Sequence, residues 1–539
     1  MRRNAALLLI STAGLAAHAS AQSVAWLQTY NGTSEPPAGA TVGSTEDPRA
    51  LAIDPAGNIF AGGVTQSFEN TTGAPQLKFV PHDDFVVIKY NASGQQLWSS
   101  SFDFPTEGDD QSAPETRSGV DSMAAMILTP DAGVAAAGRA TTRYSENGLF
   151  GFTQAGVVKY TADGEIAWYQ LLGDPAVSSV ANTIISDGAF GFYVGGATGL
   201  ASANQDAFIT ALDGAGVPVW TAAANYPFSQ IIQIVRDPAS ACVALAGISG
   251  GGCKLIRVSS GGVATTVEIP ALATAGTGVG LALAADGSAI IAAANTGDLI
   301  LVKLDAQGLQ QWSTTWRMPD TRTAVPRAIA IDASGTIRVA GHTGSTPQAP
   351  ADFFLALFDA STGAPLSHRT QDAGLNLAES SARTGVTIEP SGRTLIAGFT
   401  PTGLPADNDY AIAVFDAATP TADWTARWSN AVNPSADDRA AAIASLPTGA
   451  LAVVGRSDNG PTSVDLATIV ITPPAPACDS IDFNNNTVFP EDQDVIDFFT
   501  VLAGGECSTC NDIDFNNNTV FPEDQDVIDF FEVLAGGDC

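Results

Sequence analysis

One phrase recurs through this chain and constrains its fold more than any other feature. It is clearest as DFVVIKYNASGQQLW at residues 84–98. An acidic residue opens an apolar strand, Lys89 and Tyr90 end it, Ser93-Gly94 turns the chain, and a second strand leads into Trp98. The phrase returns as AGVVKYTADGEIAW (155–168), DAFITALDGAGVPVW (206–220) and DLILVKLDAQGLQQW (298–312). A second phrase precedes it, as in ALAIDPAGNIFAGGVT (50–65), AIAIDASGTIRVAGHT (328–343) and GVTIEPSGRTLIAGFT (385–400). Apolar alternation around a turn of two to four residues reads as a β-hairpin. Hairpin, longer loop, hairpin makes one four-stranded antiparallel unit.

The ends of the upstream hairpins fall at Gly62, Gly138, Gly196, Gly247, Ala294, Gly341, Gly398 and Gly455, which counts eight units. The last three are spaced 57 residues apart. A single unit cannot bury both of its faces, so neighbours must stack. Repeated four-stranded sheets of this kind are expected to close into an all-β propeller. The last unit reaches DLATIVIT (465–472) and then runs into Pro473-Pro474 without a fourth strand, whereas SVAWLQTY (23–30) is an unpaired N-terminal strand carrying Trp26. Donated to the last unit, that strand would close the ring. A straight solenoid is the competing fold, and seven blades is the competing count if the fourth unit, which lacks the Trp, is not a blade. Trp98, Trp168, Trp220 and Trp312 are expected to wedge between blades. Asp84, Asp206, Asp298, Asp352, Asp409 and Asp465 are expected to bond local backbone amides.

The motifs at residues 54–62 (D-x-x-G-N-I-x-A-G) and 84–98 resemble the bacterial SBBP-type β-propeller repeat family, over roughly residues 23–472. That resemblance implies a secreted or surface protein, usually without catalysis. An eight-unit count is also similar to quinoprotein-type propellers, whose outer-strand Trp follows a comparable turn.

MRRNAALLLISTAGLAAHASA, residues 1–21, has two arginines, an apolar run and Ala19-Ser20-Ala21, and reads as a signal peptide cleaved after Ala21. The expected location is secreted or cell-surface, with the periplasm as the other compartment that a leader allows. Six cysteines can then be oxidised. A formal charge of −33 excludes nucleic acid and anionic membranes as partners. After the leader no apolar run is long enough to span a bilayer, and a monomer is expected. Cys242 and Cys253 flank one turn and are expected to form a disulfide across it. The same turn contains Gly247-Ile248-Ser249-Gly250-Gly251, but a strand follows where a nucleophile elbow requires a helix. His82, His342 and His368 are scattered, without metal spacing.

A Pro-rich linker at 473–477 leads to an acidic duplicated tail, 478–539, with 15 Asp plus Glu and no Lys or Arg. Its period is 32 residues, and IDFNNNTVFPEDQDVIDFF is identical in both copies. Each copy reads as a loop followed by a helix, with Pro490 in the first helical turn and Val495, Phe498, Phe499 and Leu502 in one apolar stripe. Asp482, Asn484 and Asn486 stand at loop positions 1, 3 and 5, with the Val488 carbonyl at 7. Hard oxygen ligands at that spacing suit Ca²⁺. The layout resembles the dockerin-like, EF-hand-type repeats at the C-termini of secreted bacterial proteins. Carried over, the resemblance adds Asp514, Asn516, Asn518 and Val520. Position 6 is Thr487 where the pattern has Gly, and position 12 is Gln493. Asp492 and Asp494 flank that position, and Asp494 with its counterpart Asp526 completes the expected ligand set. The duplication favours one disulfide per copy, Cys478–Cys507 and Cys510–Cys539.

The expected function is that of an exported, non-catalytic binding or scaffold protein. Its propeller would take an extracellular polymer or protein, and its Ca²⁺-binding tail would dock or attach. Two alternatives stand beside it. One is a propeller enzyme, either quinoprotein-like or glycan-active. The other is a surface structural protein whose tail is a sorting signal.

Overall fold

The computed structural model describes residues 23–535 except 33–45, 71–78, 106–120, 145–150, 200–204, 228, 249–250, 273–276, 320–321, 345–350, 376–384, 402–407, 418–422, 431–436, 461–462, 474–477, 487 and 517–520. The expected leader, most of the linker, Ser249, Asn518, Val520 and Cys539 lie outside the described residues. The chain forms two compact units, one spanning Val24–Ile471 and another that includes the tail from Thr472.

The first unit is an eight-bladed β-propeller. Seven four-stranded sheets cover residues 47–102, 122–172, 179–227, 229–267, 277–316, 324–375 and 385–428. The eighth takes three strands from 439–472 and its outermost strand, Ser23–Tyr30, from the N-terminus. The innermost strands of successive blades are neighbours all the way round, and that of blade 8 lies against that of blade 1. The solenoid and the seven-blade count are thereby overturned, and the fourth unit is a blade.

Why the strands are apolar on both faces follows from this geometry. In blade 1, Phe60, Phe85 and Val87 pack with Met123, Val134 and Val158 of blade 2. The alternate residues Ile59, Ala61, Val86 and Ile88 pack with Ala452, Val454 and Leu466 of blade 8. Successive strand residues point to opposite faces, so each strand serves two cores. The other blade interfaces hold equivalent clusters.

The recurrent phrase proves to be a bond between blades. Lys89 lies opposite Trp98 in the register of blade 1. Trp98 Nε1 donates to the carbonyl of Ala162 in the outer turn of blade 2 at 2.9 Å. Lys89 Nζ donates to the same oxygen at 3.2 Å and lies 4.8 Å from the Phe60 ring centroid. The turn glycine, Gly164, has φ +86, and a Cβ there would stand 2.6 Å from Trp98 Cδ2. Glycine therefore serves the turn and the flat seat of the indole together. Trp168 donates to Gly214 O at 3.1 Å, and Trp26 to Ala92 O at 3.1 Å, so the contact also spans the ring closure. Where Trp is missing, arginine substitutes. Arg257 of blade 4 donates to Asp305 O at 3.1 Å, and Arg369 of blade 6 to Asp416 O at 2.7 Å.

The aspartates divide differently from expectation. Hairpin turns are held by another set: Asp54 Oδ1 accepts from the amides of Ala56 and Asn58 at 3.0 and 2.9 Å, and Asp213, Asp305 and Asp332 repeat the pattern. Of the strand-opening residues, Asp298, Asp352 and Asp409 instead pair with Arg317, Arg322 and Arg427 at 2.6, 2.6 and 3.1 Å.

Three expected disulfides are corrected. Cys242 and Cys253 are free and buried. Cys253 pairs with Gly247, and Cys242 lies five residues further back, opposite Val258. That odd offset turns the two side chains to opposite faces, one into the core with blade 3 and one into the core with blade 5. Burial pushes both thiols up to about 12, so they behave as apolar core groups. In the tail, Cys507 bonds Cys510, with Cα atoms 5.4 Å apart. This excludes both Cys478–Cys507 and Cys510–Cys539, and Cys478 is bonded elsewhere. The disulfide closes the short connector after the first helix and does not clasp a repeat.

Candidate functional site

The tail builds its two loops as one symmetric pair. The helices are Asp492–Leu502 and Asp524–Leu534. Pro490 precedes the N-cap, Glu491, and is not in the first turn. Asp479 N donates to Phe515 O at 2.8 Å, and Asn511 N to Phe483 O at 2.9 Å, so each repeat is tied to the loop of the other. Phe483, Phe498, Ile513, Phe515 and Phe530 form the core, with Phe498 and Phe530 stacked at 4.1 Å. Phe499, expected in the buried stripe, is 41% exposed.

Within the first loop, Asp482 Oδ1 and Asn484 Oδ1 both accept from the amide of Asn486, at 2.9 and 3.2 Å. The two oxygens therefore converge. Asn486 Oδ1 accepts from Val488 N at 2.7 Å, and its amide nitrogen donates to Glu491. Gln493 is exposed and donates to Asp497 Oδ1 at 2.7 Å. Of the two acids flanking it, Asp492 is exposed and Asp494 fully buried. Asp494 Oδ2 accepts from Glu491 N at 3.2 Å, which fixes the start of the helix. Its Oδ1 is buried without a hydrogen-bond partner. Asp526 repeats this, with Oδ2 accepting from Glu523 N at 3.0 Å and Oδ1 left alone. A buried carboxylate oxygen with no donor costs free energy unless something positive meets it. Asp482, Asn484, Asp514 and Asn516 are also buried. This donor set, hard oxygens with an orphaned carboxylate in each repeat, fits a bound Ca²⁺. Among the described residues no three His, Cys, Asp or Glu side chains form a metal cluster, so the fit depends on the amides.

Asp497 and Asp529 were not singled out from the sequence. Asp497 Oδ2 accepts from Asn484 Nδ2 at 2.9 Å, and Asp529 Oδ2 from Asn516 Nδ2 at 2.7 Å. Their recurrence in both copies was visible, but so was that of most neighbouring residues.

In blades 1–7 the connections from first to second strand and from third to fourth strand lie at one end, and the connections from second to third strand and the links between blades lie at the other, loop-bearing end. That loop-bearing end carries the pairs Arg322–Asp352 and Arg427–Asp409, and Arg439–Asp437 at 2.7 Å. His342 is buried and held well below its usual range, at about 4, by desolvation, with Arg327 Nη2 at 3.3 Å from Nε2. His368 instead lies against Trp316, with centroids 6.0 Å apart. The strands on either side of Gly247–Gly251, Cys242–Ile248 and Cys253–Val258, pair antiparallel, so a strand follows where an elbow requires a helix.

Two carboxyls at this end are structural and titrate unusually. Asp121 accepts from Phe104 N at 3.0 Å and Thr141 N at 2.7 Å, and desolvation pushes it up to about 7. Asp438 accepts from Asn430 N at 2.8 Å and is pushed up to about 6, again by desolvation. Both values rise on folding, so folding takes up protons. That contribution is fully favourable below about pH 4 and lost as pH rises through about 6 and 7. The thermal midpoint is expected to fall between pH 5 and 8. Asp121→Asn should flatten the upper part of that slope in a pH series of melts. An unchanged slope in the variant would refute the assignment.

No family model matches the chain, and neither does any curated protein. Among solved structures it is similar to a virginiamycin B lyase from Staphylococcus aureus, at 13% identity and TM-score 0.39, covering 69% of this chain and 95% of that one. It is also similar to a polysaccharide lyase described as an ulvan lyase, at 10% identity and TM-score 0.40, covering 81% and 95%. A third is the quinohemoprotein alcohol dehydrogenase of Comamonas testosteroni, at 11% identity and TM-score 0.37, covering 88% and 82%. At these identities the likeness concerns the fold alone.

Proposed function

We propose that this is an exported binding or scaffold protein whose tail binds Ca²⁺ and docks onto a partner surface. The observations that carry the cation reading are the buried, partnerless oxygens Asp494 Oδ1 and Asp526 Oδ1 and the converging Asp482 and Asn484 oxygens of the first loop. Asp482, Asn484, Asn486 and Asp494 would hold one ion, and Asp514, Asn516, Asn518 and Asp526 the other. The Val488 and Val520 carbonyls are the further ligands of the proposed set. Docking is supported by Ile496, Phe499, Ile528 and Phe531, which are 55%, 41%, 47% and 42% exposed. Phe499 and Phe531 are 6.0 Å apart, so the patch joins both repeats. It lies in a segment with 15 acids and no base. Its occupant is therefore a protein surface with an apolar centre and a basic rim. The propeller would present its loop-bearing end to an extracellular polymer or protein.

Calorimetry on the full mature chain should show one Ca²⁺ per loop, abolished by Asp494→Ala with Asp526→Ala. Absence of Ca²⁺ uptake by the unaltered chain would sink the cation reading. In the producing cell, Phe499→Ser with Phe531→Ser should release protein from the envelope into the medium. Unchanged partition would sink the docking reading.

A further inference from the structure

We propose that Asp497 and Asp529 are positioning residues: each holds one loop asparagine so that its amide oxygen, and not its nitrogen, faces the cation. This rests on the cation reading above and goes beyond it by dividing the tail carboxylates into two kinds.

An asparagine in a cation loop has a weakness that aspartate lacks. Rotation by half a turn about χ2 replaces the oxygen with an NH₂ group, which repels a cation. Something must choose between the two. At Asn484 the choice is made from both sides. Nδ2 donates to Asp497 Oδ2 at 2.9 Å, and Oδ1 accepts from Asn486 N at 3.2 Å beside the converging Asp482 Oδ1. At Asn516, Nδ2 donates to Asp529 Oδ2 at 2.7 Å. The second oxygen of each carboxylate is also committed. Asp497 Oδ1 accepts from Gln493 Nε2 and Asp529 Oδ1 from Gln525 Nε2, both at 2.7 Å. Asp497 and Asp529 thus spend both oxygens on amide N–H donors, whereas Asp494 and Asp526 each keep one oxygen free of any. Gln493, at the position where a closing acid was expected, instead braces the positioning carboxylate. Outer carboxylates that orient ligands commonly govern metal affinity as strongly as the ligands.

The test measures Ca²⁺ affinity of the full mature chain by calorimetry, together with its melting in chelator. Asp497→Leu with Asp529→Leu, which leaves Asn484 Nδ2 and Asn516 Nδ2 without that acceptor, should weaken Ca²⁺ binding about 10- to 100-fold. Melting in chelator should stay close to that of the unaltered chain. Adding Asn484→Asp and Asn516→Asp presents a carboxylate oxygen to the ion in either rotamer, so no positioning partner is needed. Affinity should return to at least the starting value. Unchanged affinity in the double variant, or no recovery in the fourfold variant, overturns the positioning role while leaving Ca²⁺ binding intact. No uptake by the unaltered chain overturns both.

Discussion

A chain lacking Ser23–Tyr30 is expected to unfold less cooperatively and to self-associate more than the unaltered chain. Those residues form the outermost strand of blade 8, paired to Ser463–Thr472. Most of the strand is exposed, so lost burial is not the main effect. Its removal bares the edge of Ser463–Thr472, a row of unpaired backbone groups on an apolar strand, which is a template for another chain. It also removes Trp26, whose indole donates to Ala92 O at 3.1 Å and covers Gly94 of blade 1. Trp26→Ala alone should cost about 2 kcal/mol, as for a partly buried aromatic group. The strand deletion should cost more and change the oligomeric state as well. Denaturant titration with size-exclusion chromatography separates the two variants. A monomeric deletion variant with an unshifted midpoint would show that the ring does not depend on this closure.

How far the fold can be read in advance depends on which contacts are periodic. Eight hairpin ends and an orphan strand with Trp26 are spaced along the chain, and the ring follows because each blade has two apolar faces to cover. The roles of Lys89 and Gly164 are harder to see. They need the register that sets Lys89 opposite Trp98 and the turn of the next blade beneath it. Register also defeats the Cys242–Cys253 pairing, since two cysteines near one turn can still face opposite ways. In the tail Asp492 and Asp494 flank position 12 and are equivalent on paper, and the start of the helix separates them, exposing one and burying the other. Asp497 is less legible still. It meets Asn484 across 13 residues, through a loop whose path no local pattern specifies.

Phe530→Ala is expected to unfold the tail and leave the propeller intact. The tail core is small: five fully placed apolar side chains, four of them phenylalanine. Phe530 is fully buried, stacks on Phe498 at 4.1 Å and meets Phe515 edge-on at 5.1 Å. Truncation of a buried Phe to Ala costs about 3–5 kcal/mol through lost transfer energy and the cavity left behind. A domain of this size has about that much stability in all before any disulfide or cation is counted. Among the described residues the propeller's apolar clusters lie between blades and include none of these five side chains. Calorimetric scans should therefore show two transitions in the unaltered chain and loss of one in Phe530→Ala. Because both loops are tied across the repeats by Asp479–Phe515 and Asn511–Phe483, the proposed Ca²⁺ binding should be lost at both loops of the variant and not at the second alone. Retention of one full-affinity ion in Phe530→Ala would mean that the repeats fold and bind separately, and that the symmetric pairing does not couple them.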